Sequence, residues 1–243
     1  MDFPTLEGSQ TTLTSNDLRA YFEAWDSGPG IYKWMHYFDI YNRHFEKFRG
    51  KPVNVLEIGI YSGGSLGMWK AYFGPRCRVY GVDIEPACKV YEGEDVEVFV
   101  GDQADRAFWA DFKERVPSLD VVIDDGGHLV NQQVATLEEL LPHLRPGGAY
   151  LCEDVHGASN DFGVYVSGVA LRLNGDDQPE ENPHNNERRL VATASAFQGA
   201  IDSIHLYPFV VVIEKRDVPA EEFIARKHGT QWQPNFFKSI RRR

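Results

Sequence analysis

Cysteine is scarce in this chain: Cys77, Cys88 and Cys152 are the only three in 243 residues, and no CxxC pair occurs among them. That excludes a disulfide scaffold and a cysteine-rich zinc module, and it suits a reducing compartment with ordinary packed thiols. Long hydrophobic runs are missing too. No stretch approaches the ~20 consecutive apolar residues that cross a bilayer. The segment Met1 to Gln10 lacks the basic and apolar regions of a signal peptide, so a cytoplasmic protein with no membrane partner is expected. Positive charge is in deficit, with 25 Lys+Arg against 36 Asp+Glu and a formal net charge of −11. That balance is the wrong sign for a protein whose main contact is a nucleic-acid backbone. Internal repeats are absent. What is present, 42% hydrophobic residues punctuated by 22 Gly and 13 Pro, is too apolar for disorder and long enough for one large α/β domain.

Short β-branched runs alternate with longer amphipathic segments from Asn54 to Val155. VNVLEIGI (53–60), RVYGVDI (78–84), VEVFVGDQ (96–103), DVVIDDG (120–126) and AYLCEDV (149–155) predict strands buried on both faces. Helices are expected over 64–73, over 105–116 with Asp105 as N-cap, and over 131–144. This alternation predicts an α/β fold, a doubly wound and mostly parallel sheet with right-handed crossovers. IDSIHLYPF (201–209) and VVVIEK (210–215) add a C-terminal antiparallel hairpin, which brings the strands to seven. Residues 1–50 form an aromatic-rich helical lead-in or lid hinged at Ser27-Gly28-Pro29-Gly30, its aromatics assigned mainly to packing, and 51–216 form the main domain. Within that domain the polar stretch NGDDQPEENPHNN marks a variable substrate loop over 157–200. Residues 217–243 are a tail, and its end, Ile240-Arg241-Arg242-Arg243 after Trp232, Phe236 and Phe237, reads as a solvated terminus.

Ligands of open α/β sheets bind beyond the carboxyl ends of the strands, so the residues there carry the functional reading. The first strand runs into Glu57-Ile58-Gly59-Ile60-Tyr61-Ser62-Gly63-Gly64-Ser65. Gly59 and Gly63 allow a tight turn and close approach of a ligand. A dinucleotide fingerprint would need glycine where Tyr61 stands. Asp83, ending the second strand, can accept from both hydroxyls of a ribose, and Asp102, ending the third, from an exocyclic adenine amine. With no phosphate-neutralising Lys or Arg in the glycine loop, such an acidic wall suits a cationic nucleoside. Tyr61, Ser65, Gln103 and Asp124 flank the series and complete the candidate cofactor set. The ordered pattern E-x-G-x-x-x-G, Asp83 and Asp102 resembles the class I S-adenosylmethionine-dependent methyltransferases from about 53 to 215. That resemblance implies a Rossmann-like seven-stranded fold and S-adenosylmethionine as cofactor.

The fourth strand leads into Asp124-Asp125-Gly126-Gly127-His128 and the fifth into Cys152-Glu153-Asp154. Neighbouring strand ends lie roughly 5 Å apart, so Asp125, Glu153 and Asp154 can converge. Crowded carboxylates repel unless a cation is present, and hard oxygen donors suit Mg²⁺. His128 is placed to take a proton near such an ion. The motif IDDGGH followed by ED resembles the metal-dependent macrolide sugar O-methyltransferases of the mycinamicin and macrocin types. It is also similar to the rhamnosyl methyltransferase and cephalosporin hydroxylase group, as are HYFDIYNRHFEKFR (36–49) and LGMWKAYF (66–73). The resemblance implies that Asp125, Glu153 and Asp154 hold magnesium, that His128 is the general base, and that the acceptor is a hydroxyl of a small molecule in natural product biosynthesis. A homo-oligomer is expected. After ED this chain carries Val155-His156-Gly157 where relatives have a polar continuation. Two rival readings are a nucleoside-binding or hydroxylase-like protein of the same fold without methyl transfer, and an RNA methyltransferase, which would need a basic groove.

Overall fold

Apolar side chains alternate between the two faces of each strand, and both faces must therefore be covered. The computed structural model describes residues 16–157, 160–175, 189–226 and 228. The expected loop residues 176–188 and the tail residues 229–243 lie outside the described residues. The lead-in comprises α1 (Asp17–Ala24) and α2 (Tyr37–Phe45). Then come β1 (Val53–Ile58), α3 (Gly64–Phe73), β2 (Cys77–Asp83), β3 (Val96–Val100), α4 (Arg106–Arg115), β4 (Leu119–Asp124), α5 (Val130–Leu140) and β5 (Leu144–Cys152). The remainder is α6 (Phe162–Leu171), β6 (Arg189–Thr193), α7 (Ala196–Ala200), β7 (Ile201–Tyr207), β8 (Val210–Lys215) and β9 (Glu222–Arg226).

The main sheet has seven strands in the order β3-β2-β1-β4-β5-β8-β7, parallel through β5 and antiparallel at β8 and β7. The expected doubly wound sheet with a closing hairpin is therefore present. The chain reverses direction across the sheet between β1 and β4, which is where ligands of such folds sit. On one face Val55, Val79, Val121, Ile123, Leu151 and Val212 pack under α2 and α3, whose Tyr41, Phe45, Trp69 and Phe73 are fully buried. On the other, Leu56, Tyr80, Val122, Tyr150 and Ile213 meet Trp109 and Phe112 of α4, Leu137 of α5 and Phe162 of α6. Each such buried large side chain contributes roughly 1.5–3 kcal/mol. The lead-in is thus part of the core through α2.

Several boundaries differ from the sequence reading. β1 stops at Ile58 because Gly59 turns into the left-handed region, φ 82. The third helix ends at Leu140 and β5 begins at Leu144, paired to Leu119 ahead of a register shift. In the expected variable loop the chain forms α6, β6 and α7, and in the expected tail β9 pairs antiparallel with β6 as a separate two-stranded sheet. Among the described residues no helix is long and apolar enough to cross a membrane.

Buried His44 on α2 pins the lead-in to the hairpin. Its Nε2 lies 2.9 Å from the Tyr207 hydroxyl and its Nδ1 3.3 Å from Glu214 Oε2, while Lys47 Nζ meets Glu214 Oε1 at 2.8 Å. The His44 hydrogen bond, aided by Lys47, lowers the Glu214 carboxyl to about 2. A carboxyl depressed on folding adds stability above its ordinary value and loses that contribution as pH falls through the folded value. Glu214→Gln is therefore expected to cost most stability near neutral pH, with the gap to wild type narrowing between about pH 5 and about pH 2. Urea unfolding at pH 6 and pH 3 checks this, and a gap independent of pH would refute it.

Candidate active site

The first strand end sets the floor of the site. Gly59 N donates to Val82 O at 2.8 Å and Asp125 N to Ile58 O at 3.0 Å, so β1 stays joined to both neighbours where the strands end. A Cβ on Gly59 would run into the Asp125 carbonyl, and its φ of 82 disfavours any other residue. Tyr61 (φ 42) donates its backbone N–H to Asp83 Oδ2 at 2.9 Å, and Asp83 Oδ1 accepts from Glu85 N at 2.9 Å. Asp102 Oδ1 accepts from Ala104 N at 2.8 Å. These turns wall a cleft of about 490 Å³ at the carboxyl end of the sheet, within the size range of small-ligand sites.

Most of the residues expected at the site meet in that cleft. Gly59, Tyr61, Ser65, Asp83, Asp102, Gln103, Asp125, His128 and Asp154 line it. Gly63 does not; it caps α3 beneath, against the Tyr91 ring. Glu57, Asp124 and Glu153 are buried below the surface. Gln103 spends its amide internally, donating to Asp124 Oδ1 at 3.0 Å and to Thr136 Oγ1 at 3.2 Å and accepting from Gly127 N at 2.6 Å. Asp124 also accepts from the Tyr150 hydroxyl at 2.9 Å, and burial raises its carboxyl to about 6. Asp124 and Gln103 therefore brace the Gly126-Gly127 turn.

The opposite wall is residues 25–36, a strap between α1 and α2 of which Gly30, Ile31, Tyr32 and Lys33 line the cleft. The strap crosses α3 so closely that Gly64 N donates to Gly30 O at 3.2 Å, and a Cβ on Gly64 would overlap the Pro29 and Gly30 carbonyls. Tyr32 and Trp34 face outward, whereas Lys33 turns in, with its side chain 3% exposed. Its Nζ lies 2.5 Å from Asp125 Oδ2, 3.1 and 3.2 Å from the two Glu153 oxygens and 3.5 Å from Glu57 Oε1. The Tyr41 hydroxyl donates to Glu153 Oε1 at 2.6 Å and Ser65 Oγ to Glu57 Oε2 at 2.6 Å. Burial pulls the Lys33 ammonium down, but Asp125, Glu153 and Glu57 together outweigh it and hold it well above the ordinary lysine value. Burial and the neighbouring Asp125 charge push Glu153 up. Sequence reasoning missed Lys33; its only signal is a single basic residue amid the aromatics of IYKWMHYF (31–38).

Of the three expected metal ligands, Asp125 and Asp154 come together and Glu153 faces inward onto Lys33. His128 joins the pair, its Nε2 3.9 Å from Asp125 Oδ1 and 3.7 Å from Asp154 Oδ2. One ligand atom from each of Asp125, His128 and Asp154 can be chosen so that all lie within 4.8 Å of one another. The only other such group among the described residues, His44, His205 and Glu214, already has Lys47 on its carboxylate. Asp154 Oδ1 is held by the Tyr37 hydroxyl at 2.6 Å and Trp34 Nε1 at 3.1 Å. Both His128 and Asp154 have positive φ, 55 and 53. With Tyr61, that places three of the four left-handed non-glycine residues among the described ones at this cleft.

Residues 56–155 match the family model of a methyltransferase domain. Over 204 residues the chain is 42% identical to demethylmacrocin O-methyltransferase of Streptomyces fradiae, covering 75% of this chain and 50% of that protein. It is 35% identical to 8-demethyl-8-alpha-L-rhamnosyl tetracenomycin-C 2'-O-methyltransferase of Streptomyces olivaceus, covering 77% of this chain and 52% of the relative. Among solved structures it is similar to the MycE methyltransferase of the mycinamycin biosynthetic pathway in complex with Mg and SAH. That match has 27% identity and a TM-score of 0.63, over 83% of this chain and 54% of the other. The chain thus spans about half the length of the curated relatives it matches. The methyltransferase domain model ends at residue 155, one beyond Asp154, and so takes in every expected site residue from Glu57 to Asp154.

Gly59→Ala is expected to cost more than about 2 kcal/mol, because it adds left-handed strain to a clash with backbone that cannot swing away. Thermal unfolding of the purified variant checks this; a melting temperature equal to wild type would mean the loop has room that the geometry denies.

Proposed function

We propose that the chain is an S-adenosylmethionine-dependent, Mg²⁺-dependent O-methyltransferase acting on a hydroxyl of a small molecule, a sugar or another natural product, with His128 as general base. The observation that carries this reading is the meeting of one imidazole and two carboxylates, Asp125 and Asp154, in a cleft floored by Gly59 and walled by Asp83 and Asp102. The names of the relatives support the substrate class, since both are O-methyltransferases and one is named for a rhamnosyl tetracenomycin.

The residues fit both groups. Each Asp83 oxygen accepts one backbone N–H and retains a further lone pair for a ribose hydroxyl. Lys33 is the sole lysine or arginine lining the cleft among the described residues, and it is already matched by three carboxylates, so the wall is suited to a sulfonium. Asp125 and Asp154 offer hard oxygen donors for a divalent ion, with Glu153 directly behind. When bound, S-adenosylmethionine supplies an electrophilic methyl group and the ion makes a neighbouring hydroxyl more acidic.

The protein's own part is proton handling and alignment. His128 Nε2 stands beyond hydrogen-bond distance of Asp125 and Asp154, so neither carboxylate ties up the nitrogen that would take the acceptor's proton. Its Nδ1 is buried with no hydrogen-bond partner among the described residues, an unmet group of the kind that active sites retain. Asn160 Nδ2 donates to His128 O at 2.7 Å and fixes the turn that presents the ring. Trp34, its ring tilted against Phe209 at 5.6 Å between centroids, gives the acceptor an apolar wall beside Asp154.

His128→Ala is expected to lower turnover at least about 100-fold while S-adenosylhomocysteine affinity, read by calorimetry, changes less than about threefold. Turnover within a few-fold of wild type would remove His128 as the base. Asp83→Ala is expected to weaken that same affinity about tenfold or more, the worth of one charge-assisted hydrogen bond; an unaltered dissociation constant would put the ribose elsewhere.

A further inference from the structure

Lys33 has no part in the chemistry above, yet it is among the most completely engaged charged groups described. Its ammonium sits where Asp125 and Glu153 face each other, touches an oxygen of the first and both of the second, and has Glu57 as a third neighbour. Three carboxylates around one buried cation is the surrounding a divalent ion would seek. An ion that drew on both Asp125 and Glu153 would need the space that Nζ fills, and an ammonium left in place would repel it.

The carrier of that ammonium is the strap, which has no helix or strand of its own. The strap leaves α1 through Ser27-Gly28-Pro29-Gly30, where Gly28 has φ 93, and between there and α2 it has few polar ties. These are Trp25 Nε1 to Pro29 O at 2.7 Å, Gly64 N to Gly30 O at 3.2 Å, the Lys33 contacts, the Trp34 hydrogen bond to Asp154, Tyr37 N to Trp34 O at 3.0 Å and the contact of His36 Nε2 with Pro208 O at 3.0 Å. The residues on either side of Lys33 are open to solvent, Tyr32 at 92% and Trp34 at 48%, and the inward turn of Lys33 is what ties this stretch to Asp125, Glu153 and Glu57.

We propose that Lys33 is a positioning residue, a tethered cation that holds Asp125 and Glu153 together in the ion-free protein and gives up that place when a divalent ion takes both carboxylates. The strap is released with it, so ion binding and the mobility of the cleft wall are one linked event. This rests on the metal-dependent reading above and adds to it a competitor built into the chain. Lys33 lowers the affinity for the ion and keeps the ion-free site from standing as an unpaired cluster of negative charge.

The test uses Mn²⁺ as probe on the full chain without cofactor. Calorimetry is expected to show Lys33→Met binding Mn²⁺ at least about tenfold more tightly than wild type, with Lys33→Arg, which keeps the cation, close to wild type. Trypsin supplies a readout on the unaltered protein. The Lys33–Trp34 bond should resist cleavage in EDTA, because the side chain is 3% exposed, and become cleavable on adding Mn²⁺. Binding by Lys33→Met that is equal or weaker, or protection at Lys33 that Mn²⁺ leaves unchanged, overturns the proposal while wild-type Mn²⁺ binding keeps the metal reading. Absence of Mn²⁺ binding in wild type and variants alike overturns both. Should Lys33→Met fail to fold, the trypsin result on wild type decides alone.

Discussion

One ammonium group among three carboxylates holds this site together. Parallel strands that lie side by side present their C-terminal residues side by side, and here β1, β4 and β5 deliver Glu57, Asp125 and Glu153 to one place. Buried and unpaired, such groups would cost several kcal/mol each. Lys33 offsets that cost, and the hydroxyls of Tyr41 and Ser65 supply hydrogen bonds that the ammonium does not. Because Lys33 belongs to the strap and Tyr41 to α2, the same charges that make the site also fasten the lead-in across the sheet. The lead-in is therefore at once core and cover: Tyr41 and Phe45 pack on Trp69, while Tyr32 and Trp34 stand at the mouth.

Around this centre the backbone is held in conformations it does not prefer. Tyr61, His128 and Asp154 each sit at positive φ immediately after a strand or its turn, at roughly 1–2 kcal/mol apiece. Each is secured by a contact that a relaxed backbone would lose: Tyr61 N on Asp83, Asn160 on His128 O, Tyr37 on Asp154. The acidic balance of the chain has a local meaning as well. Glu57, Asp83, Asp102, Asp124, Asp125, Glu153 and Asp154 all lie at strand ends on one side of the sheet.

The sheet was legible because its strands are buried on both faces and so read as unbroken β-branched runs, as in VNVLEI and LDVVID. Ends were less legible, since Gly59 and the shifted Leu144–Leu119 pairing stop or start strands for reasons of neighbour contact. The segment after Asp154 read as loop because its polar half dominates. Yet FGVYVSGVAL carries Phe162 and Val166 four apart and buries both, a helical spacing that marks α6. Strand β9 had no signal of its own: it exists by pairing with β6, and all five of its residues are exposed.

By itself the sequence determined the order of glycines, acids and His128 along the strands, and with it the end of the sheet at which they gather, because strands in a parallel sheet share one polarity. What only tertiary structure decided is the pairing among those groups. Glu153 and Asp154 are chain neighbours, yet one turns into the buried nest and the other to the cleft, since adjacent residues of extended chain point to opposite sides and positive φ at Asp154 re-aims the second. Lys33 meets Asp125 across 92 residues and Glu153 across 120. No local pattern encodes a contact of that span; it exists because packing α2 onto the sheet carries the strap, and its one inward cation, to the place where three carboxylates require it.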